Sequence, residues 1–270
     1  MLKLEHGFRA VDVDARLVPE TAETCRGRAI TPDRLEREMQ QAGIVRAVVA
    51  PPVGESDGYL RANNAVARLS VDRPFVAFAR IDGPRDPRDH PVAKLRNLTA
   101  SRRDFHTAPG DVEQYAYDDR FHGFVLDPVR DGLPDAETLD RLGDAGLPVV
   151  VRAGDGFPPA AVEATLLRRS MPVVLAAFGG YPANREAMAA AISLLDDHDD
   201  LFLDTAHARY RDVLERALRE YPDRVLFGSG APTVHPDVGV MELLTLDVPA
   251  DKMSRAFSKN PGRVVPALGR

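Results

Sequence analysis

The 270-residue sequence is poor in the features that define several common classes of protein. Its one cysteine, Cys25, cannot close an internal disulfide, and no apolar run approaches the ~20 residues that a membrane-spanning helix needs. A formal charge of −6 without a basic stripe argues against a nucleic-acid partner. Because the start of the chain lacks the apolar segment of a secretory signal, we expect a cytoplasmic protein with no membrane association.

Histidine is also scarce where a metal ion would need it. The seven histidines are scattered along the chain and form no His-x-His pair. A catalytic zinc site needs about three His or carboxylate ligands and an open position for water. We therefore expect no metal and no other cofactor.

The sequence does contain eight apolar, β-rich runs separated by gaps of helical length. The runs cover residues 8–14, 45–50, 74–80, 122–127, 148–152, 172–178, 201–205 and 225–229. Helical patterns fall between them, one of them capped by Thr31-Pro32-Asp33 and the others at 63–71, 135–145, 158–169, 184–196, 208–221 and 251–258. This alternation predicts an α/β fold with a parallel sheet, and its length matches a single (β/α)8 TIM barrel forming one domain over residues 1–270.

Two segments between these elements lack a clear pattern. Residues 82–121 are charged and rich in turn formers, and they follow the third strand at the end where TIM-barrel sites are built. They either cover part of the barrel mouth or form a solvated helix and loop. His235-Pro236-Asp237, after the eighth strand, is predicted to be an exposed loop.

Four of the apolar runs carry motifs of a known family. Residues 11–17 (VDVDARL) are similar to I-D-x-H-x-H-L, 147–155 (LPVVVRAGD) to L-P-V-x-x-H-x-G-D, 174–180 (VLAAFGG) to A-H-x-G, and 225–232 (VLFGSGAP) to L-F-G-S-D-Y-P. Weaker matches are Asn63-Asn64, 123–128 (GFVLDP) and 260–264 (NPGRV). The chain thus resembles the amidohydrolase-related (amidohydrolase 2) family of metal-dependent hydrolases and decarboxylases. The resemblance implies a TIM barrel with its site at the carboxyl ends of the strands.

The same motifs lack the metal-binding side chains that the resemblance implies. The residues at the four histidine positions and at the eighth-strand aspartate are Asp14, Arg16, Arg152, Phe178 and Gly230. The charges of Arg16 and Arg152 would oppose a divalent cation. The resemblance therefore predicts the fold, whereas the activity is left open.

Charged residues at or just beyond the strand ends should point toward one barrel mouth. They are Asp14, Arg16, Asp127, Arg152, Asp155 and Asp204. In one interpretation, Arg16 and Arg152 neutralise the aspartates in an internal ion-pair network, since buried carboxylates need partners. In the other, the arginines keep a free edge for a small anionic ligand, with Asp127 and Asp155 as further ligand-binding candidates.

Two functions remain open, and with them the question of whether the chain is an enzyme. One is a non-catalytic member of the family, a pseudoenzyme that binds a ligand or partner. The alternative is a metal-independent hydrolase or lyase of lactonase or decarboxylase type, with Asp14, Asp204 and His207 as the catalytic candidates. A filled, ion-paired mouth would favour the first, and an open pocket with an unpaired arginine and a carboxyl of raised pKa would favour the second. The family resemblance also implies a homo-oligomer.

Overall fold

The barrel is defined by the strands of a computed structural model that describes residues 7, 9–19, 22–23, 29–53 and 58–269. In chain order the strands are β1 (Ala10–Arg16), β2 (Ala22–Glu23), β3 (Ala29–Ile30), β4 (Ile44–Ala50), β5 (Phe75–Ile81), β6 (Phe121–Leu126), β7 (Val149–Gly154), β8 (Val173–Tyr181), β9 (Leu201–Asp204) and β10 (Val225–Leu226). The two-residue strands β2 and β3 pair with each other, and the other eight form one parallel sheet in chain order. Cys25 lies outside the described residues.

Helices follow the strands as a (β/α)8 fold requires. They are α1 (Pro32–Gln41), α2 (Leu60–Ser70), α3 (Pro91–Leu98), α4 (Pro109–Tyr117), α5 (Pro128–Asp131), α6 (Ala136–Ala145), α7 (Pro159–Thr165), α8 (Arg185–Ser193), α9 (Arg211–Glu220), α10 (Pro236–Leu244), α11 (Ala250–Ser254) and α12 (Asn260–Val264). The predicted start of α1 is confirmed, because the Thr31 side chain accepts a hydrogen bond from the Arg34 amide. None of the helices in the described part of the chain is long and apolar enough to cross a bilayer.

The sheet closes into a barrel where β1 meets the segment that follows β10. The Val13 amide donates to the Phe227 carbonyl at 2.9 Å, and the Arg16 amide donates to the Ala231 carbonyl at 2.8 Å. The Gly230 amide returns a bond of 3.0 Å to the Asp14 carbonyl. These bonds confirm the single (β/α)8 barrel predicted from the sequence, and they bring the first and eighth barrel strands together at the mouth.

The barrel interior is filled with apolar side chains, as in other TIM barrels. Val13, Phe78 and Val150 belong to this interior cluster, and Val265 and Leu268 near the C-terminus pack against it. Arg46, near the amino end of β4, donates to the Ala267 carbonyl at 2.6 Å. The C-terminal segment therefore covers the amino ends of the strands, so the open mouth lies at their carboxyl ends.

The segment after β10 differs from the sequence prediction. His235-Pro236-Asp237 is not a loop but the start of α10, where the His235 side chain accepts from the Asp237 amide at 3.3 Å and Pro236 is the first helical residue. Proline is favoured at that position because its missing N–H would have no helical partner. The sequence signal for this helix was present.

The charged segment 82–121 forms α3, α4 and a loop that returns to the barrel. Asp82, just after β5, accepts bonds from the Thr107 amide at 2.7 Å and from the Thr107 hydroxyl at 2.8 Å. This anchor brings Phe105 and His106 to a cavity at the edge of the mouth that Arg130 also lines. The segment therefore borders the mouth.

Candidate active site

A cavity of about 360 Å³ lies at the carboxyl ends of the barrel strands. The charged and imidazole side chains in its wall are Asp14, Arg16, Arg80, Asp127, Arg130, Arg152 and His207. We call it the arginine cavity. Four of the six charged residues predicted for the mouth, Asp14, Arg16, Asp127 and Arg152, line it.

Asp14 is ion-paired with two guanidinium groups, one close and one distant. Its Oδ1 lies 2.5 Å from Arg16 Nη1 and its Oδ2 lies 3.8 Å from Arg152 Nη2, and only 2% of its side chain is exposed. Burial favours the protonated form, but the charges of Arg16 and Arg152 outweigh it and lower the pKa of Asp14. Asp14 is therefore a carboxylate held by arginine.

Arg152 is held loosely. Its Nε lies 3.5 Å from Asp127 Oδ2, and no hydrogen bond from its guanidinium is found within the described residues. The guanidinium carbon lies 4.6 Å from the centre of the Tyr181 ring, a cation–π contact that leaves the N–H groups unused. Arg130 is exposed and has no ion pair in the described ranges. Both arginines therefore have donors to offer a ligand.

Arg80 is a further member of the ion-pair network that the sequence analysis proposed for Arg16 and Arg152. It is 1% exposed, its Nε donates to Asp131 Oδ2 at 2.8 Å, and its Nη2 lies 3.7 Å from Asp127. The Tyr59 hydroxyl donates to the other oxygen of Asp131 at 2.6 Å. Sequence reasoning missed Arg80, although an arginine near the carboxyl end of an otherwise apolar strand (FVAFARI) was a usable signal.

Asp204 lies below the cavity rather than in its wall. It is fully buried, and its Oδ1 accepts from the backbone amides of Ala206 at 2.6 Å and Ala177 at 3.4 Å. Burial, and secondarily the negative charge of Asp14, raises the pKa of Asp204 well above its usual range. The expected pairing of Asp204 with an arginine is not observed between the described residues.

His207 occupies space that glycine leaves open at position 230. A Cβ on Gly230 would lie 2.7 Å from His207 Nε2, too close for a side chain to coexist with the present imidazole. His207 has a φ of 59°, a conformation that non-glycine residues rarely adopt. Burial lowers the pKa of His207, opposed in part by Asp14, so the imidazole is neutral near pH 7. The sequence identified His207 as a candidate, but its proximity to Gly230 needed the structure.

Asp155 and Phe178 lie outside the arginine cavity. Asp155 lines a neighbouring cavity of about 230 Å³, and its Oδ1 accepts from Asn184 Nδ2 at 2.7 Å. Phe178 is fully buried in the apolar layer that contains Met188 and Ala191 of α8. The ligand-binding role predicted for Asp155 stays a prediction.

The residues at the family's metal positions do not fit a divalent cation. Asp14 is engaged by guanidinium groups, Phe178 carries no donor atom, and Gly230 has no side chain. Among the residues that the structure describes, no three His, Cys, Asp or Glu side chains are grouped to hold a metal ion. A positive charge is supplied here by arginine.

The closed barrel and its mouth define the class of protein, a TIM barrel with a polar site at the carboxyl ends of its strands. The sequence pattern of the amidohydrolase family (Amidohydro_2) matches residues 11–267, so the chain belongs to that family. No curated protein matches the chain.

Solved structures share this fold at low sequence identity. An uncharacterized TIM-barrel protein from Bordetella bronchiseptica superposes with a TM-score of 0.66 and 19% identity, covering 97% of this chain and 99% of that one. A 2,6-dihydroxybenzoate decarboxylase from Rhizobium has a TM-score of 0.64 and 14% identity over 95% of this chain and 98% of its own. A probable 2-pyrone-4,6-dicarboxylic acid hydrolase from Acinetobacter baumannii, with citric acid bound, has a TM-score of 0.62 and 14% identity over the same shares, 95% and 98%. At these identities the likeness concerns the fold.

Proposed function

We propose that the protein is a metal-independent hydrolase that acts on a small ester or lactone bearing a carboxylate. The observation that carries this proposal is the convergence of unused guanidinium donors and a neutral imidazole on one open cavity. An open pocket lined by an arginine without an ion pair in the described chain, Arg130, and lying above a carboxyl of raised pKa, Asp204, is the arrangement expected of an active member rather than of a filled, ion-paired one.

The arginine cavity suits the carboxylate of a substrate. Four arginines in the wall face two aspartates, and Asp131 behind Arg80 adds one further negative charge. Because burial disfavours a charge on Asp204, one positive charge is in excess before a ligand enters. Arg152 and Arg130 have no hydrogen bond to a carboxylate in the described chain, so a ligand carboxylate can take paired N–H bonds from either of them.

His207 is the group best suited to act as the base. Asp14 is ion-paired with Arg16, and Asp204 is enclosed below the cavity with a raised pKa, whereas neutral His207 lines the cavity. In the proposed reaction the imidazole takes a proton from water as the oxygen attacks the substrate carbonyl carbon. The charge that develops on the carbonyl oxygen is stabilised by a guanidinium. When the carbon–oxygen bond to the leaving group breaks, the imidazolium returns the proton to the departing alkoxide.

Two of the solved structures are consistent with a carboxylate substrate. By their names, one decarboxylates a dihydroxybenzoate and the other hydrolyses a pyrone dicarboxylic acid. They support the substrate class by analogy of fold, and they assign no role to a residue of this chain.

A panel of carboxylated esters and lactones, assayed with a chelator present, tests the proposal. We expect turnover of at least one carboxylated substrate and none of its neutral methyl ester. Replacement of His207 by Asn should lower kcat by roughly 100-fold or more while ligand affinity changes little, because a general base contributes ~10²–10⁴ to the rate. His198, whose Nε2 lies 3.2 Å from Glu163 away from the cavity, supplies the matched control, and His198→Asn should leave kcat unchanged.

The remaining outcomes separate the alternatives. Carboxylates that bind without any turnover would make the protein a non-catalytic binding member of its family. Turnover that appears only after addition of zinc or manganese would contradict the metal-independent mechanism. Equal loss of activity in the His207 and His198 variants would remove His207 from the role of base.

A further inference from the structure

We propose that the neighbouring cavity of about 230 Å³ is a subsite for the uncharged part of the same ligand, and that the substrate is an aryl- or alkyl-substituted carboxylate. This inference rests on the proposed function. It adds the chemical class of the group attached to the carboxylate. We call this second cavity the apolar subsite.

The apolar subsite is continuous with the arginine cavity. Both are lined by Asp127, Arg130, Arg152 and Tyr181. The Arg152 guanidinium therefore stands at the boundary, with the Tyr181 ring 4.6 Å beneath it. A carboxylate bound by Arg152 would have its substituent directly at the entrance to the apolar subsite.

The walls of the apolar subsite suit a hydrocarbon group. Val129, Ala153 and Pro182 line it together with glycine backbone, and Val129 is 41% exposed to solvent. The one carboxyl on its wall that does not also line the arginine cavity, Asp155, is already bonded to Asn184. Ligand sites of this kind combine a few polar anchors with a mainly apolar wall.

The volume of the apolar subsite is large enough for a group the size of one aromatic ring. An apolar cavity of about 150 Å³ can hold benzene, and the apolar subsite has about 230 Å³. An apolar group that covers the exposed Val129 side chain removes it from water, and this burial of apolar surface favours binding. Acetate, by contrast, would fill only the carboxylate position.

Gly156 controls the width of the apolar subsite. A Cβ on Gly156 would lie 2.8 Å from Val129 Cγ2, so a valine there must push the Val129 side chain aside and would add bulk to the wall of the apolar subsite. The backbone of Gly156 is not in the left-handed region, and Val129 is exposed enough to move aside. Gly156→Val is therefore a blocking variant that the fold should tolerate.

The test compares acetate with benzoate by NMR titration of the whole protein. In the parent, benzoate should bind at least tenfold more tightly than acetate, a difference of about 1.4 kcal/mol. Gly156→Val should weaken benzoate at least tenfold and change acetate by less than twofold. Gly110→Val is the matched control, because a Cβ on Gly110 meets nothing within 4 Å and the residue is remote from both cavities.

A second variant makes the test independent of whether Gly156→Val folds. Val129→Ser changes an exposed side chain, and it should weaken benzoate several-fold without affecting acetate. Equal affinity of the parent for both probes, or equal weakening of both in these variants, would overturn the subsite and leave the carboxylate site intact. If neither probe binds the parent, the carboxylate site is wrong and the subsite with it.

Discussion

At the scale of single residues, the absence of one side chain changes the role of another. Gly230 leaves room at the mouth, and the imidazole of His207 fills it, with Nε2 2.7 Å from the position of the missing Cβ. A buried imidazole in contact with a cavity is neutral near pH 7 and can accept a proton, because burial disfavours its charged form.

The titration of His207 tests this description directly. Because burial lowers its pKa below 6.5, the imidazole should stay neutral to more acidic pH than a free histidine, and the acid limb of kcat/KM should fall below pH 6.5. Asp14→Asn removes a charge that raises the pKa, so it should lower the pKa of His207 further. NMR titration of the imidazole measures both shifts. A His207 pKa above 6.5 would show that the ring is solvated or ion-paired.

Another buried carboxyl, that of Asp12, holds the closing strands together. It accepts bonds from the Ser229 amide at 2.9 Å, from the Ser229 hydroxyl, and from the Asp14 amide at 3.0 Å. These bonds favour the carboxylate, yet burial dominates and raises the pKa of Asp12 to about 6. Asp12 therefore binds its proton more tightly in the folded chain than in the unfolded one.

The contribution of Asp12 to the stability of the fold should consequently decrease between pH 4 and pH 6. A folded pKa of about 6 against an unfolded value of 3.8 gives a contribution that is complete below pH 3.8 and lost as pH rises through 6. It amounts to roughly 3 kcal/mol. Urea unfolding of the parent and of Asp12→Asn at several pH values isolates the contribution of Asp12 to the free energy of unfolding, since the amide does not titrate. Parallel pH profiles for the two proteins would contradict a raised pKa.

At the scale of structural elements, strands position arginines for different tasks. Arg80, on β5, is enclosed and bonded to Asp131, whereas Arg152, on β7, is 17% exposed and makes only long contacts. Asn63 of α2 fixes Arg80 further, since its Oδ1 accepts from the Arg80 amide at 2.8 Å and its Nδ2 donates to the Arg80 carbonyl at 2.9 Å. The weak Asn63-Asn64 motif thus has a structural explanation.

Unfolding measurements should separate the two arginines. Arg80→Met leaves buried carboxylates without their cation and should cost about 3–5 kcal/mol of unfolding free energy. Arg152→Met should cost about 1 kcal/mol or less, because its partners are distant and water reaches it. Chemical denaturation of both variants gives the comparison. A larger loss for Arg152 would restore the internal ion-pair network as the main role of the mouth.

At the scale of the whole molecule, the arginine cavity replaces the positive charge that a metal ion would bring to the mouth. Asp14 is ion-paired with Arg16 and Arg152. The remaining positions, Phe178 and Gly230, have no side-chain atom that could bind a metal ion. Protein purified without chelator should therefore contain far less than one zinc, manganese or iron per chain, and a chelator should leave its melting temperature unchanged. Elemental analysis measures the first and a thermal melt the second. A ratio near one that falls in Asp14→Asn would reveal an unforeseen ligand set.

Anions should stabilise the folded barrel. A dicarboxylate or phosphate at ~100 times its Kd adds about 2.7 kcal/mol to the free energy of unfolding. Thermal melts with and without the anion measure this shift, and a neutral compound of similar size is the control. The double replacement of Arg16 and Arg152 by Glu should abolish it. Anion stabilisation that persists in a folded double variant would exclude Arg16 and Arg152 as the receptor.

The sequence by itself determined the architecture and the family of this protein. Apolar strands, helix caps and turn residues are local patterns, and their order along the chain specifies eight β/α units without knowledge of any distant contact. The family motifs occur within those units, so they also identified Asp14, Arg16, Asp127 and Arg152 as residues of the mouth.

Only the tertiary structure decided which of those groups meet. Arg80 and Asp131 are 51 residues apart, and their pairing depends on the register of neighbouring strands and on the first turn of α5. The same is true of His207 and Gly230, which meet because the segment after β10 closes against β1. Burial and pKa depend on every element that surrounds a group. No local pattern contains that information, so the neutral His207, the enclosed Asp204 and the free donors of Arg152 became visible only in the folded barrel.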